Sequence, residues 1–463
     1  MLSFVNPGIA GSRRQFLQVG SLGMLGGLGL PQLLQARESS APTSDILRGK
    51  SVIFLFLHGG PSQIETFDPK MTAPDGIRST TGELATAIPG VTFGGTLPKL
   101  AYLADRLTVV RSFSTGNGNH DIKPIVGPAS ANANLGSLYA RVAGANHPTS
   151  GMPLNVALFP RAVNPEAQPE QRGFGLFTST GQQALSTAPF VPGAGGDLQQ
   201  NMELSLPRGR FDDRRHLLAQ IDRLQRHIDA TGLLEVMDRF QQQAFDTVLG
   251  GVAKAFDWRE ESPATIARYD TSPLVTADSI DRRWNNRKYY IDHNETLGKL
   301  LLTARRLVEA GCGFVTVTTN FVWDNHADSN NAGVVEGMRY CSVALDHALS
   351  ALIEDLEARG LSRDVLVVAC GEMGRTPRVN KNGGRDHWGG LAPLLIHGGG
   401  WKMGQVIGQS TRDIGQPATE PVTIPNLIST VMHTLFDSGQ LRLRPDVPAE
   451  ISRLLLADPI RGL

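Results

Sequence analysis

At 463 residues the chain could hold about three domains of ~150 residues, but a single large α/β domain of this size is equally ordinary, so length sets no domain count. Its 44 Lys and Arg balance 44 Asp and Glu, and 19% of residues are charged, below the globular norm of about 25%. That balance disfavours a basic nucleic-acid footprint and a disordered polyelectrolyte alike, while 41% hydrophobic residues suffice for a large core.

The N-terminus reads as an address. Residues 11–17 are GSRRQFL, with Arg13-Arg14 ahead of an apolar, Gly-rich stretch that runs to Leu34 and a plausible small-residue cleavage site. This is the pattern of a twin-arginine export signal, expected over residues 1–45 with a short linker. It implies passage through the twin-arginine export machinery to the periplasm or cell surface, a route that carries folded proteins. After the leader no stretch reaches ~18 uninterrupted apolar residues, so no membrane span is expected in the mature chain.

From residue 46 to 463 the pattern alternates strands and helices. Ser51–Leu57 (SVIFLFL) is apolar on both faces and runs straight into His58-Gly59-Gly60-Pro61, as a central parallel strand does. Leu107–Phe113, Gly313–Thr319, Asp364–Ala369 and Ala392–His397 repeat the pattern. Helical stretches at Thr296–Ala310 and Gly337–Arg359 precede two of them. The alternation predicts a three-layer α/β sandwich with a mostly parallel central sheet. An inserted region at about 165–290 holds a Gly/Ser/Pro/Gln-rich loop, Ser179–Gln200. A helical hairpin is expected after it, with Leu217, Ile221, Leu224 and Ile228 on one stripe.

In an open parallel sheet, ligands bind outside the carboxyl ends of the strands. The first strand is followed by His58, Glu65 and Asp68, and the second by Ser112, Ser114, Thr115, Asn117, Asn119, His120 and Asp121. GFVTVTT leads into Trp323-Asp324-Asn325-His326, and DVLVVAC into Gly371-Glu372-Met373-Gly374-Arg375. Asp386-His387 stand just ahead of the last strand. Carboxylate oxygens and neutral imidazole nitrogens at four such positions make a divalent-metal donor set. Its histidines favour zinc or manganese over calcium or magnesium. The other seven histidines sit in helical, loop or strand-end contexts that fit core or surface roles. Cys312, Cys341 and Cys370 show no CxxC pairing, and the apolar context of Cys312 and Cys370 reads as buried, inert thiol. No G-x-S-x-G occurs, so HGGP lacks the nucleophile elbow of a serine esterase.

Together, the twin-arginine leader, HGGPSQIETFDPK, VVRSF followed by NGNHD, ARRLVEAG, WDNH, GEMGRTP and GRDHWGG resemble the domain of unknown function 1501 family of exported bacterial proteins. That family is in turn similar to the alkaline phosphatase and sulfatase superfamily. The resemblance implies an alkaline-phosphatase-like fold with a metal site at the strand ends, and it names no substrate; as a hydrolase the protein is expected to act on phosphate or sulfate esters of a small molecule or polysaccharide. It implies Asp324, His326, Glu372, His387 and Asp68 as metal ligands, with His58 the alternative to Asp68. It also implies a nucleophile after the second strand, where Ser114, Thr115 and His120 stand. Thr115 or a bound water would attack, His120 would act as general acid or nucleophile, and Arg375 with Lys123 would neutralise the anion. The competing reading is a catalytically degenerate, metal-containing binding protein.

Overall fold

The computed structural model describes residues 46–193 and 252–463. The twin-arginine leader and the Leu217–Ile228 stripe fall outside them. The main sheet contains β1 (Ser51–Phe56), β2 (Thr108–Val110), β3 (Asn155–Leu158), β4 (Phe314–Thr318), β5 (Val365–Cys370), β6 (Leu394–Gly398) and β7 (Gln405–Ile407). Their spatial order is β7-β2-β6-β5-β1-β4-β3.

The unbroken apolar runs exist because both faces of the sheet are covered. Val52, Phe54 and Phe56 of β1 enter one core cluster, and Ile53, Leu55 and Leu57 the other. Helices α1 (Leu135–Ala143) and α4 (Ile424–Leu435) build the first with Leu135, Leu138, Leu427 and Val431. Helices α2 (Arg287–Glu309) and α3 (Val334–Ala358) build the second with Leu297, Leu301, Leu345 and Leu349. The result is the expected three-layer, mostly parallel α/β fold. Among the described residues no helix is long and apolar enough to cross a membrane.

Register decides where the chemistry falls. Phe56 pairs with Thr318 on one side and Cys370 on the other, so β1, β4 and β5 end side by side. Strand β6 runs antiparallel to both neighbours, with Leu394 opposite Cys370 and Val110. A reversed strand enters at the edge where the parallel strands leave, which carries the segment before Leu394 to the same edge as the loops after β1, β2, β4 and β5.

Several elements differ from expectation. Helix α2 begins at Arg287 rather than Thr296 because Tyr290, His293 and Asn294, polar in sequence, are buried with partners inside. The second strand ends at Val110 and gives way to a separate pairing of Phe113–Ser114 with Val422–Thr423. Helix α4, anticipated only as the helical context of His433, is started by Pro425 and a capping box of Thr423 with Asn426. The three cysteines are free and buried, and burial pushes the Cys312 thiol up to about 12.

Candidate metal centre

Two glycines show how closely the strand-end loops approach. Gly59, just after β1, adopts φ +113°, and a Cβ there would lie 2.8 Å from the backbone nitrogens of Trp323 and Asp324. At Gly389 a Cβ would lie 2.4 Å from the Asn117 backbone, so the loop carrying His120 and the loop carrying His387 fit together only with glycine at that point. The backbone amides of Thr115 and Gly116 donate to Gly389 O and seal the junction.

The loops deliver His120, Asp324, His326 and His387, whose ligating atoms all lie within 4.8 Å of one another. His326 Nε2 is 2.8 Å from Asp324 Oδ1, His120 Nε2 3.3 Å and His387 Nε2 3.4 Å. His326 Nε2 and His387 Nε2 are 2.6 Å apart. Two imidazole lone pairs cannot share that space without a proton or a cation between them. Ligands about 2.1 Å from an ion stand up to about 4.2 Å apart, so modest adjustment would close this set around one divalent metal. Three nitrogens with one carboxylate oxygen suit zinc or manganese. The residues therefore fit the group.

The outer partners fit as well. Glu372, completely buried, is 2.9 Å from His120 Nδ1 and accepts the Gly59 amide at 3.0 Å. Asp386 Oδ1 lies 3.3 Å from His326 Nδ1. Carboxylates on the far ring nitrogens fix the tautomer that turns each Nε2 lone pair toward the centre. Asn331 donates to Asp324 Oδ2 at 3.0 Å. Burial opposes ionisation of Asp324, but the Arg375 guanidinium and the three imidazoles outweigh it and hold the carboxyl far below its usual range. Burial likewise opposes charge on His120, yet its bonds to Asp324 and Glu372 raise its pKa.

Not every expected ligand arrives at the centre. Asp68 belongs to a different cluster, where it accepts from Ser410 Oγ and lies 3.6 Å from Arg111. A guanidinium and a hydroxyl face it there, and the structure does not bring it to the converging set. Glu372 stands behind His120 rather than inside the converging set. His58, the alternative first-strand ligand, is buried against Phe174, Phe177 and Phe321, and burial drops its pKa to about 4.

The expected nucleophiles are also otherwise engaged. Ser114 Oγ donates to Gly389 O at 3.1 Å and Thr115 Oγ1 to Asn117 O at 3.4 Å. His120, expected as acid or nucleophile, instead joins the converging set. Arg375 is buried and spends its donors on the protein: Nε on Gly60 O, one terminal nitrogen on Arg385 O and His326, the other on Gly59 O and Asp324. It anchors Asp324 and has little left for a substrate anion. Lys123 is tied to Asn117, Asn119 and Asp121.

Arg385 explains why GRDHW and the ETFDPK segment belong together. Both members of its pair with Glu65 are fully buried, at 2.9 Å. Glu65 also accepts from Ser79, Thr80 and Thr81. This pair pins the turn that carries Asp386 and His387. Sequence reasoning gave no role to Phe174 and Phe321, whose rings flank His120 at 5.1 and 4.7 Å; one is in the inserted region and neither sits in a catalytic pattern.

Comparison with solved structures finds a sulfatase from Pseudoalteromonas sp., 12% identical, covering 96% of this chain and 76% of that one with a TM-score of 0.36. A phosphonate monoester hydrolase from Silicibacter pomeroyi is 12% identical over 83% and 73% of the two chains, with a TM-score of 0.33. The lipoteichoic acid synthase of Listeria monocytogenes is 10% identical over 78% and 68%, at 0.30. No curated protein matches the sequence. The family described as "Protein of unknown function (DUF1501)" matches over residues 49–442, so the chain belongs to the DUF1501 family.

Proposed function

We propose that this protein is an exported, metal-dependent hydrolase of phosphate or sulfate esters, with residues 1–45 as its twin-arginine signal and 46–463 as one catalytic domain. The observation that carries the reading is the convergence of His120, Asp324, His326 and His387, each imidazole presenting Nε2, with carboxylates behind two of them. These four residues would hold a zinc or manganese ion. When bound, such an ion supplies Lewis acidity against an ester oxygen and lowers the pKa of a water.

The chain's own residues prepare that chemistry. Arg375 keeps Asp324 ionised at the centre, and Glu372 holds the proton of His120 at Nδ1 so that Nε2 stays free. Phe321, buried and 4.7 Å from the His120 ring, shields the centre from water on one side, where electrostatic interactions are consequently stronger. With Ser114 and Thr115 committed to backbone carbonyls, water rather than a side-chain hydroxyl is the attacking group in this reading.

The same two commitments favour the second reading, a metal-containing binding protein that has lost turnover. Hydrolysis of aryl phosphate, sulfate and phosphonate esters by zinc- or manganese-loaded protein, beside His326→Ala, separates the two. Turnover lost in the variant supports the hydrolase. Anion binding without turnover supports the binding protein.

A further inference from the structure

The loop of the inserted region that reaches the metal centre ends in an unusual set of rings. Phe174 is half-buried and packs 5.1 Å from His120 and 4.9 Å from Phe321, centroid to centroid. Phe321 also stands 4.7 Å from His120, so the three rings touch one another, and Phe177 is buried. Gly175 holds the segment down: its φ is +142°, and a Cβ there would lie 2.8 Å from Ile122 Cγ1, in the loop that carries His120. Leu176, next in the chain, leaves 52% of its surface exposed.

A ring that only insulated the centre would be buried like Phe321 and Phe177. Phe174 instead keeps open surface beside a proposed ligand histidine, and Leu176, two residues on, is exposed. The geometry points to an aryl subsite: Phe174, with Leu176 two residues on, receives the aromatic ring of the ester's organic part while its anionic head meets the metal centre. Edge and tilted ring contacts of the kind already present here are the arrangements a further aromatic ring prefers. The contact is apolar rather than ionic, because Lys123 and Arg172 are held by the protein itself. Lys123 is bound to Asn117, Asn119 and Asp121, and Arg172 to Glu170.

This inference rests on the hydrolase reading of the same centre, and two non-hydrolysable probes test them apart. Phenylphosphonate and methylphosphonate share the head group and differ in the ring. Calorimetric titration of zinc-loaded full-length protein should show phenylphosphonate binding about tenfold more tightly. That preference should vanish in Phe174→Ala and persist in Phe174→Tyr, with methylphosphonate affinity and zinc content unchanged. Equal affinities in the unmodified protein overturn the subsite and leave the anion site standing. An equal loss of both probes in Phe174→Ala also overturns it, since Phe174 would then merely prop His120. If neither phosphonate binds, the hydrolase reading falls and the subsite with it.

Discussion

Among the described residues, two clusters of charge differ in balance. On the α2–α3 side, Arg305, Arg306 and Arg359 pair with Glu261, Glu309 and Asp355, three cations against three carboxylates. At the strand ends, Asp324, Glu372 and Asp386 face a single guanidinium, Arg375, and three imidazoles that can be neutral. With neutral histidines that cluster carries two uncompensated negative charges, the complement of one divalent ion. The first network is complete in itself and ties helices together. The second is complete only with protons or a metal, and that incompleteness marks a site.

Substitutions should therefore act on different observables in the two places. The largest effect is expected at the strand ends: His326→Ala or His387→Ala removes an inner ligand and should abolish stoichiometric metal binding, read by elemental analysis, while the fold persists. Breaking the balanced network by Arg305→Ala leaves buried Asp355 and Glu261 short of a partner. It should cost about 3–5 kcal/mol in denaturant unfolding with metal affinity of the folded protein unchanged. If Arg305→Ala instead altered metal binding and left stability intact, the contrast between the clusters would collapse.

A pH effect of similar size belongs to His293, in the core of α2. It is bonded to Thr319 and Cys341 O, and burial drops its pKa to about 4 against 6.5 for the free side chain. The folded state must keep this imidazole neutral. Stability is therefore full above pH 6.5 and is lost as pH falls toward 4, by about 3 kcal/mol at the lower limit. A His293→Gln variant should show a shallower acid decline in thermal unfolding between pH 6.5 and 4, and an identical slope would contradict the assignment. The smallest effect is expected from Glu372→Gln, which leaves His120 without its carboxylate. Metal affinity should weaken about 10–100-fold in competition with a chelator, with no loss of the folded state.

Much of this was legible in the sequence because strand ends are punctuated. HGGP, WDNH and GEMG each follow an apolar run, and β1, β4 and β5 do end side by side. Asp386-His387 precede a strand rather than follow one, and their arrival at the same edge depends on β6 running backwards, which its apolar run cannot reveal. Asp68 looked like Asp324 in sequence, since both follow a strand by a short loop. Only the partners Arg111 and Ser410, the latter 342 residues away, distinguish it. Glu372 was visible as a member of the cluster but not its depth behind His120, because that is set by the bend at Gly59. Phe174 carried no signal, as its contacts depend on how an inserted loop folds back.

Metal content tests the central claim most directly. The mature protein would be purified without chelator beside a His326→Ala/His387→Ala double variant and analysed for zinc and manganese. Close to one equivalent in the unmodified protein, absent from a folded double variant, is the predicted result. No metal in either, or equal metal in both, would contradict the account.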